Sequence, residues 1–533
     1  MAAQPPAAGA AASGVPGKSR RRRRWPWLLG ALLLLAAAAA LWYRLPPPAY
    51  LPDYRLDLRL PPQGAPAPRG LWAGFAARPI TPDPERDGPV WLAGFGSKGR
   101  RATGVHDPLW ARAVVLGDGR VRIGIVALDL IGHYYTDTIQ VRQAARELGL
   151  DYVAVCSTHN HNSFDAIGLW GRLPLVSGRS EPLMERTRRA AVAALAEAAA
   201  ALAPASLVVA QAPSGTESVR RPSGEHGREA LFRGWIRDDR PPYVIDERVT
   251  VLRLERRVEA SPHGAAVAAA GRAPPGATLG TVVIWGNHPE ALGPDNCQLT
   301  SDYPHFLREH MEAHAGGICV FLVGAVGGLM SPLDVEVTLA DGTRTRGPSF
   351  RQAEAIGRGV AEVALAALAG PGAVRLEEAP LAVRARTVSW PLANRIFYLA
   401  AKLGVIDRGF IPPGQLRSEV AVLRVGPLVL LLVPGEIYPE LLLGGIENPP
   451  GADFPGTPPE GPPLYELVDA PFKAAVGLAN DLVGYIIPKA EWDEAPPYLY
   501  GSSRAWYGEI NSTGPEAAGA VCGGLRALLE EPW

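Results

Sequence analysis

The sequence has little of what marks several common classes of protein. It has four cysteines and no CxxC pair, so neither a zinc ribbon nor a disulfide framework is predicted, and the sequence alone does not pair them. These cysteines are Cys156, Cys297, Cys319 and Cys522. Acidic and basic residues balance at 53 each, and no basic stripe with interleaved aromatic residues is present, so we expect no nucleic-acid partner. No internal repeat is present, and 533 residues suffice for one large catalytic domain or two ordinary ones.

The N-terminus predicts a protein that is exported. Residues 1–19 are rich in Ala, Pro and Gly and are predicted to be disordered. Five arginines at positions 20–24 precede an uncharged stretch over 25–43, which has aromatic residues at both ends and is long enough to cross a bilayer. We therefore predict a transmembrane signal anchor over 20–44, with a cytoplasmic N-terminus and an extracytoplasmic catalytic domain. A cleaved signal peptide, which would make the protein secreted, is the alternative, and the alanines at 36–40 offer a cleavage site.

The remainder of the chain predicts an α/β fold of mixed α+β layers. A Pro-rich linker is predicted over 45–70 and a single large domain over 71–533. Short apolar runs alternate with helical patterns, which is typical of layered α/β or α+β domains. The predicted strands cover 121–129, 152–156, 249–254, 281–285 and 318–323, and the predicted helices cover 136–148, 185–202 and 352–368. A hairpin is predicted over 421–433, and loops over 264–275 and 448–463.

The segment Thr158-His159-Asn160-His161 directly follows the apolar run at 152–155. Two imidazoles spaced i and i+2 at the end of a buried strand can reach one cavity through a bent backbone. Hydrolases present a metal ligand and a nearby proton carrier in this way. An isolated His-x-His is more often a local hydrogen-bonded cap, so the interpretation depends on the rest of the chain.

Four further polar side chains follow apolar or Gly-rich segments. They are His288, Ser331, Glu436 and Tyr485. Each alone has an ordinary structural explanation, and a carboxylate after an apolar strand is costly only if it is buried without a partner. Taken together, two imidazoles, a carboxylate and a phenol oxygen suit a Zn²⁺ ion that keeps one position open. Such an ion activates water and polarises a carbonyl group.

At this point the sequence resembles the neutral/alkaline (non-lysosomal) ceramidases. The resemblance covers roughly residues 71–518 and is carried by an ordered set of blocks rather than by any single one. The blocks are AGFAARPITP at 73–82, GVHDPLWARA at 104–113, THNH at 158–161, HP at 288–289, LTSDY at 299–303, PGE at 434–436 and GLANDLVGY at 477–485.

The resemblance implies a role for particular residues. The implied zinc ligands are His159, His288, Glu436 and Tyr485. His161 matches the proton carrier, Arg221 the arginine that contacts substrate, and Ser331 a serine sometimes regarded as a nucleophile. The family's Thr-His-Thr-His-Ser-Gly is Thr-His-Asn-His-Asn-Ser here, and its Gly-Asp-Val-Ser-Pro-Asn is Gly-Leu-Met-Ser-Pro-Leu. Because the chain ends soon after the Tyr485 block, we expect no C-terminal immunoglobulin-like domain.

The hypothesis is a membrane-anchored, zinc-dependent amidohydrolase that cleaves an N-acyl lipid such as ceramide to a fatty acid and an amine. His161 would protonate the leaving nitrogen, and Arg221 would orient the head of the substrate. In a mechanistic variant, Ser331 attacks the carbonyl. Two rival hypotheses are a metallohydrolase of the same fold acting on another amide or ester, and a non-catalytic binding homologue. An amidohydrolase barrel fits the irregular spacing of the elements poorly.

Overall fold

The computed structural model describes residues 25–45, 53–215, 218–222, 229–257, 276–406 and 414–531. For the helix and strand residues 25–27, 43–44, 218–222 and 229–233, only the backbone is described. The chain divides into two units, Met1–Pro46 and Pro47–Trp533. The predicted disordered N-terminus, the five arginines and the whole predicted loop at 264–275 lie outside the described residues.

The first unit contains helix α1 (Trp25–Arg44). Across the described residues, no helix combines the length and the hydropathy expected of a membrane span.

The second unit alternates helices and strands along the chain. Its α-helices are α2 (Tyr135–Ala145), α3 (Glu181–Ala200), α4 (Tyr303–Ala315), α5 (Phe350–Ala369), α6 (Arg395–Lys402), α7 (Glu440–Leu443) and α8 (Ala517–Leu529). Short 3-10 helices cover Arg146–Leu148, Leu464–Leu467, Lys489–Glu491, Leu499–Gly501 and Glu509–Asn511. The strands are β1 (Asp57–Leu60), β2 (Trp72–Pro79), β3 (Trp91–Leu92), β4 (Arg100–Arg101), β5 (Gly104–Val105), β6 (Trp110–Gly117), β7 (Arg122–Leu128), β8 (Tyr152–Ser157), β9 (Ala203–Pro213), β10 (Ser218–Pro222), β11 (Glu229–Arg233), β12 (Ile236–Asp238), β13 (Arg248–Arg256), β14 (Thr278–Trp285), β15 (Gln298–Leu299), β16 (Ile318–Val323), β17 (Met330–Ser331), β18 (Glu336–Thr338), β19 (Arg344–Arg346), β20 (Val374–Leu376), β21 (Leu381–Pro391), β22 (Gln415–Val425), β23 (Leu428–Leu432), β24 (Glu436–Ile437), β25 (Phe472–Val476) and β26 (Tyr485–Ile486).

Two sheets pack face to face with helices outside them. The larger sheet has the order β16-β14-β13-β9-β2-β6-β7-β8, with β20 beside β9, and the smaller has the order β1-β21-β22-β23-β25. Successive side chains of β9 point to opposite faces of the large sheet, as the two-residue period of a strand requires. Leu207 and Val209 enter the core between the sheets, whereas Val208 and Ala210 pack on the helix side. Helices α2 to α5 cover the large sheet and α8 covers the small one, so the prediction of mixed α/β layers is confirmed.

Most of the regular elements lie where the hydrophobic pattern places them. The five predicted strands correspond to β7, β8, β13, β14 and β16, and the three predicted helices to α2, α3 and α5. The predicted hairpin is formed by β22 and β23, with Gly426 at φ 56° in its turn. Residues 448–463 form neither a helix nor a strand, as predicted.

The folded unit begins before residue 71, where the sequence analysis places the end of the linker. Residues 57–60 form β1, which pairs antiparallel with β21 at the edge of the small sheet. The strand forms because Leu56, Leu58 and Leu60 recur with a period of two and pack against the core between the sheets. The Pro-rich composition around this segment hides that alternation.

The segment at 477–480 holds the ends of both sheets together. The Gly477 N–H donates to the carbonyl of Val323 at 3.0 Å, and the Ala479 N–H donates to that of Val433 at 2.9 Å. The Ser157 N–H donates to the carbonyl of Leu478 at 3.0 Å. Polar residues that follow β8, β14, β16 and β23 are therefore brought to one edge of the molecule. In α/β proteins, ligands bind at the carboxyl ends of strands in this way.

Candidate metal centre

His159 follows β8 and is held in one orientation by its own backbone and by a carbonyl. Its φ of 65° lies in the left-handed region, which is uncommon for a residue with a side chain and often marks a functional site. Its Nδ1 lies 2.7 Å from the carbonyl oxygen of Ile131. Because a carbonyl only accepts, Nδ1 carries a proton and Nε2 is the nitrogen that faces the cavity.

Glu436 places one carboxylate oxygen between two imidazoles. Its Oε2 lies 3.4 Å from His159 Nε2 and 3.2 Å from His288 Nε2, and all three side chains are buried. Burial would raise the pKa of Glu436, but the two histidines hold that pKa well below its ordinary value. Burial would likewise lower the pKa of His288, yet its hydrogen bond to Glu436 leaves that pKa raised. The carboxylate is therefore ionised in its buried position.

Tyr485 joins this group through strand pairing. The two-residue strands β24 and β26 run parallel, with Glu436 directly opposite Tyr485. The Tyr485 hydroxyl oxygen lies 3.5 Å from His288 Nε2. Burial, reinforced by the negative charge of Glu436, raises the pKa of this phenol well above its ordinary value. A divalent cation at this place would supply the charge that favours the phenolate form.

His161 brings a third imidazole to the same cavity. Its Nε2 lies 3.4 Å from His159 Nε2, and the ligand atoms of His159, His161 and His288 all lie within 4.8 Å of one another. Burial lowers the pKa of His161 well below its ordinary value, and the neighbouring His159 and His288 lower it further. A neutral imidazole in this position suits either a metal ligand or a proton acceptor.

The donor set fits a divalent metal ion. In this set, two buried imidazole nitrogens face a carboxylate oxygen and a phenol oxygen, and a third imidazole lies beside them. Buried charges are normally paired or bound to a metal, and this combination of nitrogen and oxygen ligands suits zinc. The three-histidine cluster and the predicted set of His159, His288, Glu436 and Tyr485 overlap in two members.

The two asparagines of the Thr-His-Asn-His-Asn-Ser segment hold it in place through hydrogen bonds to residues outside the metal cavity. Asn160 Nδ2 donates to the carbonyl of Thr300 at 2.7 Å, and Asn162 Nδ2 donates to Asp302 Oδ2 at 2.9 Å. Thr300 and Asp302 belong to the LTSDY block of the sequence. That block therefore supports the histidine segment from outside the metal cavity.

Ser331 lies at the end of β17 with both hydrogen-bonding functions of its hydroxyl engaged. The hydroxyl donates to Glu290 Oε1 and accepts from the Leu333 N–H at 3.0 Å. Its proton acceptor is therefore a carboxylate rather than a histidine.

Glu290 is the site residue that the sequence analysis missed. Its other oxygen, Oε2, lies 3.3 Å from His161 Nδ1, although the two groups are not aligned as a hydrogen bond. Burial raises the pKa of Glu290, whereas His288 lowers it. This carboxylate links Ser331 to His161. Glu290 could have been identified from its position in Asn-His-Pro-Glu, two residues after the candidate ligand His288.

Arg221 lies on β10, in a small sheet with the order β10-β11-β12-β17. Its backbone pairs with Ala230 of β11, and β12 in turn pairs with β17, where Arg237 is opposite Ser331. Arg221 and Ser331 therefore share one sheet. The position of the Arg221 guanidinium group lies outside the described side chains.

The comparisons with known proteins bear on the fold. No protein-family model matches this sequence, and no curated protein matches it in sequence. Among solved structures, the chain is similar to the neutral ceramidase from Pseudomonas aeruginosa, with a TM-score of 0.59 and 18% identity over 86% of this chain and 75% of that one. A ceramidase complexed with C2 matches with a TM-score of 0.57 and 16% identity, over the same shares of the two chains. The expected resemblance is confirmed in three dimensions: this chain has the fold of the neutral ceramidases.

Proposed function

We propose that the protein is a zinc-dependent hydrolase that cleaves the amide bond of an N-acyl lipid such as ceramide, giving a fatty acid and an amine. The observation that carries the proposal is that the buried carboxylate of Glu436 faces two imidazoles, while the phenol of Tyr485 lies 3.5 Å from one of them, at His288 Nε2. This arrangement occurs in a chain with the ceramidase fold. The proposed ligands are His159, His288, Glu436 and Tyr485.

Zinc bound there would supply a Lewis acid and a water activated near neutral pH. The chain supplies the rest of the chemistry. The carbonyl of Ile131 keeps His159 Nε2 turned toward the cavity, and burial keeps the imidazole of His161 neutral. His161 would take a proton from the attacking water and pass it to the leaving nitrogen, which otherwise could not depart as an amine.

Arg221 and Glu290 have supporting roles in the proposal. Arg221 would orient the polar head of the substrate. Glu290 faces Nδ1 of His161 whereas His159 faces its Nε2, so Glu290 would hold the His161 ring and stabilise it when it carries the proton. Neither residue needs to contact the metal.

The contact between Ser331 and Glu290 favours one mechanistic variant. A serine whose hydroxyl donates to a buried carboxylate has a proton acceptor in place, so Ser331 could attack the carbonyl and form an acyl-enzyme. Trapping an acyl group on the native protein, and its absence from Ser331→Ala, would support this variant. Full turnover by Ser331→Ala would contradict it.

The proposal is tested on the full chain by measuring metal content together with hydrolysis of a fluorescent N-acyl-sphingosine. We expect one zinc per chain, turnover that a chelator removes, and recovery when zinc is returned. Zinc without turnover of this amide, but with turnover of another amide or an ester, would reassign the substrate class. Zinc without any turnover would favour a non-catalytic binding protein, and absence of a stoichiometric metal would refute the proposed site.

Replacing Glu290 with glutamine is expected to reduce kcat by about 10- to 100-fold while zinc content stays unchanged. The amide can still accept the Ser331 hydrogen bond, but it lacks the negative charge that faces His161 Nδ1. The measurement is steady-state turnover, with elemental analysis of the same preparation.

Glu197→Gln is the matched control for this change. Glu197 is a half-exposed partner of Arg78 on the surface, so its replacement should leave kcat within twofold of the native value. Equal kcat values for Glu290→Gln and the native protein would show that Glu290 has no part in turnover.

Membrane anchoring through the N-terminal segment is also part of the proposal. It rests on the basic cluster and the apolar stretch of the sequence, and it would place the domain on the extracytoplasmic side of a membrane that holds the lipid substrate.

A further inference from the structure

Exposed apolar side chains are concentrated in three segments of the second unit. In its described part, nine large hydrophobic residues are exposed, and seven of them fall within residues 173–176, α6 with the residue after it, and residues 507–510. We call these seven the apolar collar: Leu173, Leu175, Val176, Ile396, Leu403, Tyr507 and Ile510. Single exposed hydrophobics are ordinary, but a cluster of them marks an interaction surface.

The first collar segment follows Trp170, which contacts the segment that packs on His161. The Trp170 indole N–H donates to the carbonyl of Gly96 at 3.0 Å, and the ring of the adjacent Phe95 lies edge-on to His161 with centroids 5.2 Å apart. Asp165 fixes the start of this loop by accepting three backbone N–H groups. The loop is therefore anchored at its base while its apolar tip at 173–176 faces solvent.

The other two segments lie on the Tyr485 side of the cavity. The ring of Tyr507 is edge-on to Tyr485 with centroids 6.1 Å apart. Asn394, which caps α6, donates through Nδ2 to the carbonyl of Ile510 at 3.0 Å, so α6 and residues 507–510 are in contact. A side chain at Gly168 would meet the carbonyl of Val405 at 2.2 Å, so the first loop also abuts the end of α6. The three segments are therefore linked to one another by contacts at their bases.

Helix α6 and the residue after it present two apolar side chains to solvent. Ala400 and Ala401 face the core, whereas Ile396 and Leu403 are 58% and 53% exposed. These two residues are seven positions apart, which is two helical turns, so they lie on the same face. A surface helix with apolar residues on its solvent face needs a partner to cover them.

Two exposed arginines, Arg172 and Arg395, lie beside the collar residues Leu173 and Ile396. Glu509, which lies between collar residues Tyr507 and Ile510, is buried and paired with Arg240 at 2.8 Å, so it contributes no negative charge to the surface. These two arginines give the collar a positive charge at two of its segments.

We propose that the apolar collar is a docking surface for a lipid bilayer that carries anionic headgroups. Apolar side chains enter the boundary between headgroups and acyl chains, while the surrounding cations contact the phosphates, as in interfacial helices. Docking brings the segments that contact His161 and Tyr485 against the membrane, so that a lipid substrate passes from the bilayer to the site without crossing water. The inference rests on the proposed function for its substrate, but insertion of the collar is measured independently of turnover.

The test places an environment-sensitive nitrobenzoxadiazole dye on single cysteines in the full chain. Leu173→Cys and Ile396→Cys report on the collar, and Val105→Cys and Leu443→Cys are matched controls, because Val105 and Leu443 are the two exposed hydrophobics outside it. Cys297 is replaced by serine in every variant, since the other three cysteines are buried. The protein is reconstituted with vesicles of phosphatidylcholine and phosphatidylserine in a 4:1 ratio.

Dye emission is expected to rise about twofold or more at positions 173 and 396 and to stay unchanged at 105 and 443. Unchanged emission at 173 and 396 in protein that sediments with the vesicles would overturn the docking surface, as would an equal rise at all four positions. The double variant Leu173→Asp/Ile396→Asp should lose about tenfold or more of its turnover on vesicle-embedded ceramide and keep its turnover on a soluble short-chain N-acyl amine. Val105→Asp/Leu443→Asp should keep both activities. A dye response without any hydrolysis would retain the docking surface and refute the proposed function.

Discussion

Replacing His159 with alanine is expected to abolish stoichiometric zinc binding and, with it, hydrolysis of the N-acyl lipid. Loss of a partner that only orients a metal ligand typically costs 10- to 100-fold in metal affinity or activity, so loss of a ligand should cost more than about 100-fold. His159 Nε2 is one of two imidazole nitrogens that face Glu436 Oε2, and its removal leaves that buried carboxylate with one imidazole fewer. The measurement is elemental analysis with turnover on the same preparation.

The matched control is His314→Ala. His314 is an exposed residue of α4 whose Nδ1 contacts the carbonyl of His310, so its loss removes an imidazole without touching the cavity. That variant should keep one zinc per chain and full turnover. The assignment of His159 fails if His159→Ala also keeps both. Loss of zinc from both variants would instead indicate a general effect on folding, which thermal unfolding of the two proteins would reveal.

The fold could be predicted where the burial of a strand leaves a clear hydrophobic pattern in the sequence. Strands β8, β14 and β16 are continuous apolar runs because both of their faces are buried, and such runs stand out in a sequence. The short strands of the site do not stand out in the sequence in this way. Strand β24 and strand β26 have two residues each, and they form because the segment at 477–480 brings Glu436 beside Tyr485. No local periodicity marks a strand of that length.

The site could be predicted only in part, for a similar reason. His159 and His288 follow recognisable strands, and their shared cavity follows from the rule that sites form at strand ends. Glu290 contacts His161 and Ser331, which are 129 and 41 positions away, so its role depends on contacts that no local pattern encodes. The apolar collar could not be predicted, because the sequence does not show whether Ile396 lies on the buried or the exposed face of α6.

Replacing His161 with alanine is expected to separate metal binding from catalysis. If His161 carries the proton to the leaving nitrogen, the variant keeps one zinc per chain and loses about 10²- to 10⁴-fold in kcat, the usual contribution of a positioned acid or base. KM should change little, because the imidazole acts on the reacting nitrogen rather than on the acyl chain or head of the substrate. Metal analysis, kcat and KM are measured on native protein, His161→Ala and His161→Gln.

The outcome decides between the two arrangements that the geometry allows. His161 Nε2 lies as close to His159 Nε2 as Glu436 Oε2 does, at 3.4 Å, so distance alone does not separate a third imidazole ligand from a proton carrier. Loss of zinc from His161→Ala would establish a three-histidine site and remove the proton carrier from the mechanism. Retention of zinc, with kcat partly restored to His161→Ala by added imidazole, would establish the proton carrier, because a small base in the vacated space can transfer the proton without being attached to the chain. Retention of both zinc and native kcat would exclude His161 from both roles.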